Sequence, residues 1–167
     1  MLRLKEIKEM GSYDVGIDYY VPFSISYKPN DFEDMVCWRI GDLNKSLMEF
    51  SIGKKSNILK AVTLVAVSNA YLTDDKLNMC NNQKTGVPLI FMNELMEKDV
   101  YDFPLKFDTF LGNNYMLVKF GRETSVCYEV VTGRVIFRFN NNDELISVLI
   151  TKLSDDEYGE LKDGLKL

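Results

Sequence analysis

The sequence contains no histidine among its 167 residues, and it has only three cysteines. Histidine is the commonest general base, the usual partner of a serine or cysteine nucleophile, and the commonest metal ligand. Cys37, Cys80 and Cys127 lie far apart, without the Cys-x-x-Cys spacing of zinc ribbons and dithiol redox sites. Neither a Gly-x-Ser-x-Gly elbow nor a phosphate-binding glycine pattern occurs. We therefore expect a protein that is not an enzyme, that binds no cofactor or metal, and whose cysteines are reduced thiols, with Cys37 and Cys127 buried in strands.

The chain also lacks a long hydrophobic run. Its longest apolar stretch, residues 61–67, is interrupted by Thr63 and is far shorter than the roughly twenty residues of a membrane-spanning helix. The first eight residues mix charged side chains with leucines, so no secretory signal is evident. The sequence thus predicts a cytoplasmic protein that does not associate with a membrane.

The chain has fewer basic than acidic residues. It contains 20 Lys and Arg and 25 Asp and Glu, which gives a formal net charge of −5. Nucleic-acid binding needs a clustered surplus of basic side chains, and the only adjacent basic pair is Lys54 and Lys55. We therefore expect no nucleic-acid partner. The negative charge is compatible with a basic protein partner and also with ordinary solubility.

Period-two hydrophobic patterning predicts an α+β fold in a single domain over residues 1–167, built mainly from antiparallel β-sheet. In residues 21–27, Val21, Phe23, Ile25 and Tyr27 alternate with other residue types, which is typical of a strand with one face on a core. Residues 47–52 repeat the pattern. Residues 58–67 are apolar on both faces, which predicts a central strand covered on both sides. The polar residues 81–86 are expected to form a loop between two halves of one sheet.

The second half of the chain predicts a meander and a helix. Four strand segments, at residues 115–120, 125–131, 134–139 and 144–153, follow each other with short connectors. Parallel crossovers need about a dozen residues, so these strands are expected to pair in sequence order. Ser154 and Glu157 form a capping-box pattern, which predicts a short C-terminal helix with Tyr158, Leu161 and Leu165 on one face. A further helical turn is expected at residues 93–98.

Residues 13–32 are rich in aromatic side chains. They are followed at once by acidic residues and, at position 38, by the only tryptophan. Aromatic anchors beside acids are suited to a cationic protein partner, since the rings bury area while the acids steer the encounter. The alternative is that these are half-buried strand aromatics beside a polar turn. The tryptophan, likewise, either fills the core or anchors an interface. The candidate partner-binding residues are Asp31, Phe32, Glu33, Asp34, Trp38, Asp74 and Asp75.

A set of short segments resembles a known family. The segments are WRIGD at 38–42, LMEFSI at 47–52, VTLV at 62–65, GVP at 86–88, VIFRF at 135–139 and EL at 144–145. In this order they resemble the small β-rich immunity proteins of bacterial contact-dependent inhibition and other polymorphic toxin systems. The resemblance implies a cytoplasmic protein that binds the toxic domain of a neighbouring cell's effector, such as a basic nuclease, and blocks it through charged surface complementarity.

Two other functions stay open on the sequence alone. An aromatic-rich sheet that closed around an apolar cavity would make a carrier of small apolar ligands. A hydrolase without histidine would bring two carboxyl groups together in a cleft about 5–10 Å apart. The acids of this chain lie in polar segments, where water keeps carboxyl pKa values ordinary, and this disfavours the hydrolase.

Overall fold

A computed structural model describes residues 1–29, 31–92, 98–121 and 125–167. These residues form fifteen β-strands and one α-helix. In chain order the elements are β1 (Leu4–Lys8), β2 (Ser12–Gly16), β3 (Phe23–Lys28), β4 (Met35–Gly41), β5 (Leu47–Gly53), β6 (Leu59–Ala66), β7 (Ala70–Leu72), β8 (Gln83–Thr85), β9 (Val87–Ile90), β10 (Val100–Phe103), β11 (Phe107–Gly112), β12 (Tyr115–Phe120), β13 (Tyr128–Thr132), β14 (Val135–Phe139), β15 (Leu145–Thr151) and α1 (Asp155–Gly164).

Two large sheets pack face to face around one apolar core. The first has six strands in the order β10-β4-β5-β6-β3-β2, and the second has seven in the order β7-β11-β12-β15-β14-β13-β8. Inner-face side chains of both sheets interdigitate, as in other sheet-on-sheet packings. The rings of Phe50 and Phe120 meet at 5.9 Å, and those of Tyr13 and Phe137 meet at 5.6 Å. Strands β1 and β9 form a small third sheet, which bridges to both large ones.

The predicted β-rich α+β fold is confirmed, but the sheets are mixed rather than purely antiparallel. Three edge strands pair in parallel with their neighbours: β10 with β4, β7 with β11, and β8 with β13. Strand β8 lies within the predicted polar loop 81–86, so that part of the prediction is wrong. The three polar residues of β8 show no hydrophobic alternation. They form a strand because the backbone of β13 offers them hydrogen-bond partners.

In the six-stranded sheet, β3, β5 and β6 fall where alternation predicts strands. Strand β6 is central, between β5 and β3. Its inner-face residues Val62 and Leu64 are fully buried, whereas Ala61 and Thr63 on the outer face are half-buried and Val65 is 37% exposed. The prediction that both faces of this strand are covered is therefore wrong.

The meander is confirmed only in part. Strands β13, β14 and β15 pair in sequence order, but β12 pairs with β11 and β15 instead of β13. Strand β13 begins at Tyr128, three residues later than predicted, so Val126 and Cys127 precede it and are exposed. The connector from β12 is therefore long enough to pass two intervening strands, a distance of about 14 Å.

Residues 73–82, which we call the strap, join opposite edges of the seven-stranded sheet, because β7 and β8 are its two edge strands. Six strand spacings separate these edges by about 29 Å, and ten extended residues reach about 33 Å. The strap crosses the outer face: Tyr115 of β12 donates to the Asp75 carbonyl (3.0 Å), Leu77 packs on the sheet, and Arg138 of β14 donates to the Asn78 carbonyl (2.7 Å). Strands β14 and β15 are consequently buried on both faces.

The C-terminal helix begins with the predicted capping box. The Ser154 hydroxyl accepts from the Glu157 amide (3.2 Å), and the Glu157 carboxylate accepts from the Ser154 amide (3.0 Å). Arg134, in the turn before β14, binds the same carboxylate at 2.7 and 2.8 Å, and Leu161 is buried in the core. The helical turn expected at 93–98 falls mostly on residues 93–97, outside the described residues. Within the described ranges, no helix has the length and apolarity needed to cross a membrane.

Candidate functional site

The predicted partner-binding residues do not form one surface. Asp31–Asp34 lie in the β3–β4 loop, beside the outer face of the six-stranded sheet, where the first three of them line a groove together with Ser26 and Ala61. Asp74 and Asp75 lie on the strap, which covers the outer face of the seven-stranded sheet. The two sheets pack through their inner faces, so these two acidic groups lie on opposite sides of the molecule.

Lys60 anchors the first group. It lies at a bulge in β6, where the pairing with β5 shifts between Ser51 and Ile52. Its side chain is 8% exposed, lies 4.9 Å from the Tyr27 ring centroid, and pairs with Asp31 and with Glu33, the latter at 3.0 Å. A buried ammonium group needs such partners, since its desolvation is otherwise costly.

The Glu33 carboxylate is bound by several groups within the fold. Its carboxylate accepts from the Ser56 hydroxyl (2.6 Å) and from the backbone amides of Lys55 and Ser56 (3.0 Å each), and its side chain is 9% exposed. Burial opposes ionisation, but these hydrogen bonds and Lys60 outweigh it and lower the pKa of Glu33 to about 2. Gly53 permits the approach, because a Cβ there would lie 2.3 Å from the Glu33 carboxylate. Glu33 therefore holds the β5–β6 turn, and it also lines the groove beside Phe32.

Lys60, Asp31 and Glu33, which we call the Lys60 cluster, each have a pKa shift that favours the charged form. The hydrogen bond from Lys60 lowers the pKa of Asp31. Burial lowers the pKa of Lys60, but the two carboxylates outweigh burial and raise it. A general acid needs a raised carboxyl pKa and a nucleophilic lysine needs a lowered one, so all three shifts run against acid–base or nucleophilic chemistry.

Phe32 projects from between the two anchored acids. It is 99% exposed, although its neighbours on either side are both tied to Lys60. Met35, at the start of β4, is 50% exposed and lines the same open groove, whose volume is about 390 Å³. Phe32 and Met35 are thus two exposed apolar side chains that line the same groove.

Around Phe32, the outer face of the six-stranded sheet carries an excess of acid. Its middle is lined by short side chains, such as Ser26 on β3 and Ala61 and Thr63 on β6. Two ion pairs lie at the β10 edge of this sheet: Arg39 with Asp102 (2.6 Å) and Lys54 with Asp99 (2.5 Å). On the same face, Asp34 and Glu49 form no salt bridge with any residue of the described ranges.

Trp38 belongs to the inner face. It is half-buried, stacks on Tyr101 (ring centroids 6.1 Å apart), contacts the tilted Phe103 ring (5.5 Å), and packs against the core. Its indole Nε1 is buried with no hydrogen-bond partner among the described residues. Of the two alternatives that the sequence left open, the structure favours the core, because residues 36, 38 and 40 of β4 all point inward.

Asp74 and Asp75 are exposed, and the Asp75 backbone helps to hold the strap. The Asp75 amide donates to the Thr73 hydroxyl (3.1 Å), while its carbonyl accepts from Tyr115. No group of three or more cysteine, aspartate or glutamate side chains within the described part of the chain could hold a metal ion.

Sequence reasoning missed Lys60 and Met35. Lys60 carried a signal, since it is the one charged residue inside the apolar run 58–67 and therefore called for an acidic partner. The partners themselves, 27 and 29 residues earlier in the chain, could not be identified without the fold.

Comparison with protein-family models finds no match for this chain, and comparison with curated proteins finds none either. The function is therefore inferred from the sequence and from the residues of the outer face.

Proposed function

We propose that this chain is an immunity protein that binds and neutralises the toxic domain of a bacterial effector, and that it does so through Phe32 and the acidic outer face around it. The observation that carries the proposal is the exposure of Phe32 at 99% on a segment fixed by Asp31 and Glu33 through Lys60. The toxic domain is expected to be basic, as many nucleases are.

The energetics favour a binding role for Phe32. Burial of a phenylalanine side chain contributes about 2 kcal/mol of favourable free energy. In the free protein Phe32 makes no such contribution, because its ring is exposed. The Lys60 cluster already orders the Phe32 segment, so a partner that covers the ring would not have to order it. Exposed Met35 extends the apolar contact along the groove.

The charge pattern supports a cationic partner. Asp34 lies beside Phe32 without an ion pair to any described residue, and the Asp31 side chain is 59% exposed despite its contact with Lys60. Unpaired carboxylates at the rim of an apolar patch raise the rate of association with a basic surface more than they raise affinity. The proposal therefore includes an association rate that falls with ionic strength.

The two other functions considered above fit less well. A carrier needs an internal cavity, but the space between the sheets is filled by side chains such as Phe23, Phe50 and Phe137, each at most 1% exposed. A carboxylate-pair hydrolase needs a carboxyl group with a raised pKa, and the converging carboxyls here, Asp31 and Glu33, have lowered ones.

The experiment is a protection assay. Any effector gene found next to this chain's gene supplies the toxic domain, which is expressed in bacteria together with the wild type, Phe32→Ala or Tyr20→Ala. Tyr20 is a matched control, because it is an aromatic residue with 82% exposure outside the proposed face. We expect the wild type and Tyr20→Ala to protect growth and Phe32→Ala to protect poorly at equal protein level. Full protection by Phe32→Ala would contradict the proposed face, and no protection by the wild type would contradict the function.

A further inference from the structure

Two of the three thiols lie side by side in the fold. Cys80, at the end of the strap, is partly buried, and Cys127, just before β13, is exposed. They are 47 residues apart in the chain, yet the Cys80 thiol donates a hydrogen bond to the backbone carbonyl of Cys127 at 3.5 Å. Cys37 lies on β4 of the other sheet.

The strand register accounts for this proximity. Strands β8 and β13 are parallel, with Gln83 opposite Glu129, and the Glu129 amide donates to the Asn82 carbonyl at 2.9 Å. When this register is continued toward the N-terminus, residue 81 falls opposite Cys127, and Cys80 lies one residue before it. The Cys80 side chain turns toward this segment, because its thiol reaches the Cys127 carbonyl. With strands about 4.8 Å apart and a rise of about 3.3 Å per residue, an offset of one residue gives a Cα separation of about 6 Å, which disulfides can span.

We propose that Cys80 and Cys127 form a reversible disulfide that fastens the end of the strap to the seven-stranded sheet, with a low-molecular-weight disulfide such as oxidised glutathione as the oxidant. This modification site is independent of the Phe32 face, because it lies on the opposite sheet. It does not require that the chain be an immunity protein.

The reaction proceeds by two thiol–disulfide exchanges. The exposed Cys127 thiolate attacks one sulfur of oxidised glutathione, which forms a mixed disulfide and releases one glutathione thiolate. The Cys80 thiolate then attacks Cys127 Sγ and displaces the second glutathione. In total, the two protein thiols lose two protons and two electrons, and oxidised glutathione is reduced to two glutathione thiols.

The expected consequence is a more stable strap. In the reduced protein this end of the strap is held by short contacts: the three residues of β8, the Asn78 carbonyl bonded to Arg138, and the Cys80 thiol. A disulfide would close a long loop and restrict the unfolded chain. For a loop of this length and a protein of this size, the expected rise in Tm is about 10 °C.

Cys37 provides an internal control. Burial raises the pKa of its thiol, which reduces the reactive thiolate fraction. It lies at the position of β4 that pairs with Ser51 of β5, away from the other two cysteines. Cys37→Ser is therefore expected to oxidise as the wild type does.

The experiment equilibrates the full chain in buffers of oxidised and reduced glutathione and measures free thiols, intact mass, disulfide-linked peptides and Tm. In oxidising buffer we expect the wild type and Cys37→Ser each to lose two thiols, to carry no glutathione, and to yield a peptide pair that links residues 80 and 127. Cys80→Ser is expected to retain one glutathione on Cys127, since the resolving thiol is gone. Only the wild type and Cys37→Ser should gain Tm on oxidation.

Three results would overturn the proposal. The first is wild-type protein that keeps glutathione on Cys127 without a link to Cys80. The second is a linked pair that forms between two chains rather than within one, detected by non-reducing electrophoresis. The third is an intramolecular link that lowers Tm, because strain of that kind would mean that the two side chains do not lie in bonding geometry.

Discussion

Replacement of Glu33 by Gln is expected to destabilise the protein in a pH-dependent way. The pKa of Glu33 falls from its ordinary 4.5 to about 2 in the folded chain, and each pKa unit corresponds to about 1.4 kcal/mol of differential stability. The full shift would give about 3 kcal/mol. Because the cluster borders an open groove and Asp31 still pairs with Lys60, we expect about 2 kcal/mol at pH 7.

The sign of the pH dependence follows from the lowered pKa. Ionised Glu33 stabilises the fold fully above the unfolded-state pKa, and this stabilisation is lost as the pH falls through about 2. The difference in unfolding free energy between the wild type and Glu33→Gln should therefore be largest near pH 7. It should shrink substantially by about pH 3.

Urea denaturation at several pH values measures this difference. Glu49→Gln is the matched control, since Glu49 lies on the same outer face and forms no salt bridge with a described residue. It should change the unfolding free energy by less than about 0.5 kcal/mol at any pH. If Glu33→Gln behaved like Glu49→Gln, the Lys60 cluster would not hold the β3–β4 loop, and the reasoning about Phe32 would lose its basis.

Three further predictions concern other parts of the molecule. Phe32→Ala should leave Tm unchanged within error in thermal denaturation, because the side chain is 99% exposed; a loss of several degrees would mean that the ring packs within the fold. Ser154→Ala should lower the unfolding free energy by about 1 kcal/mol through loss of the helix cap, and an unchanged urea midpoint would contradict this. Leu77→Ala should speed hydrogen exchange of strap amides while exchange in β12 and β15 stays slow; equal acceleration in all three would show that the strap does not open separately.

Local patterns in the sequence predicted much of the fold because they report local physics. Alternation placed β3, β5 and β14, since at least one face of each of these strands is buried. The capping box placed the start of α1, because Ser154 and Glu157 satisfy each other's amides within four residues.

Pairing between distant segments could not be predicted in the same way. The strap contains one packed apolar residue, Leu77. A single apolar residue gives no hydrophobic periodicity, so the sequence did not predict that the strap covers a sheet. The choice of β15 over β13 as the neighbour of β12 depends on a connector whose start and end alternation did not fix. Glu33 appeared to be an ordinary surface acid, and only the fold brings Ser56 and Lys60 to its carboxylate.

The role of Phe32 as the anchor of the proposed protein-binding face can be measured by calorimetric titration of the effector's toxic domain with the wild type, Phe32→Ala and Tyr20→Ala. We predict a Kd at least about tenfold weaker for Phe32→Ala, as expected for the loss of a buried aromatic contact, and an unchanged Kd for Tyr20→Ala. Equal affinity of all three proteins for the toxic domain would contradict the claim.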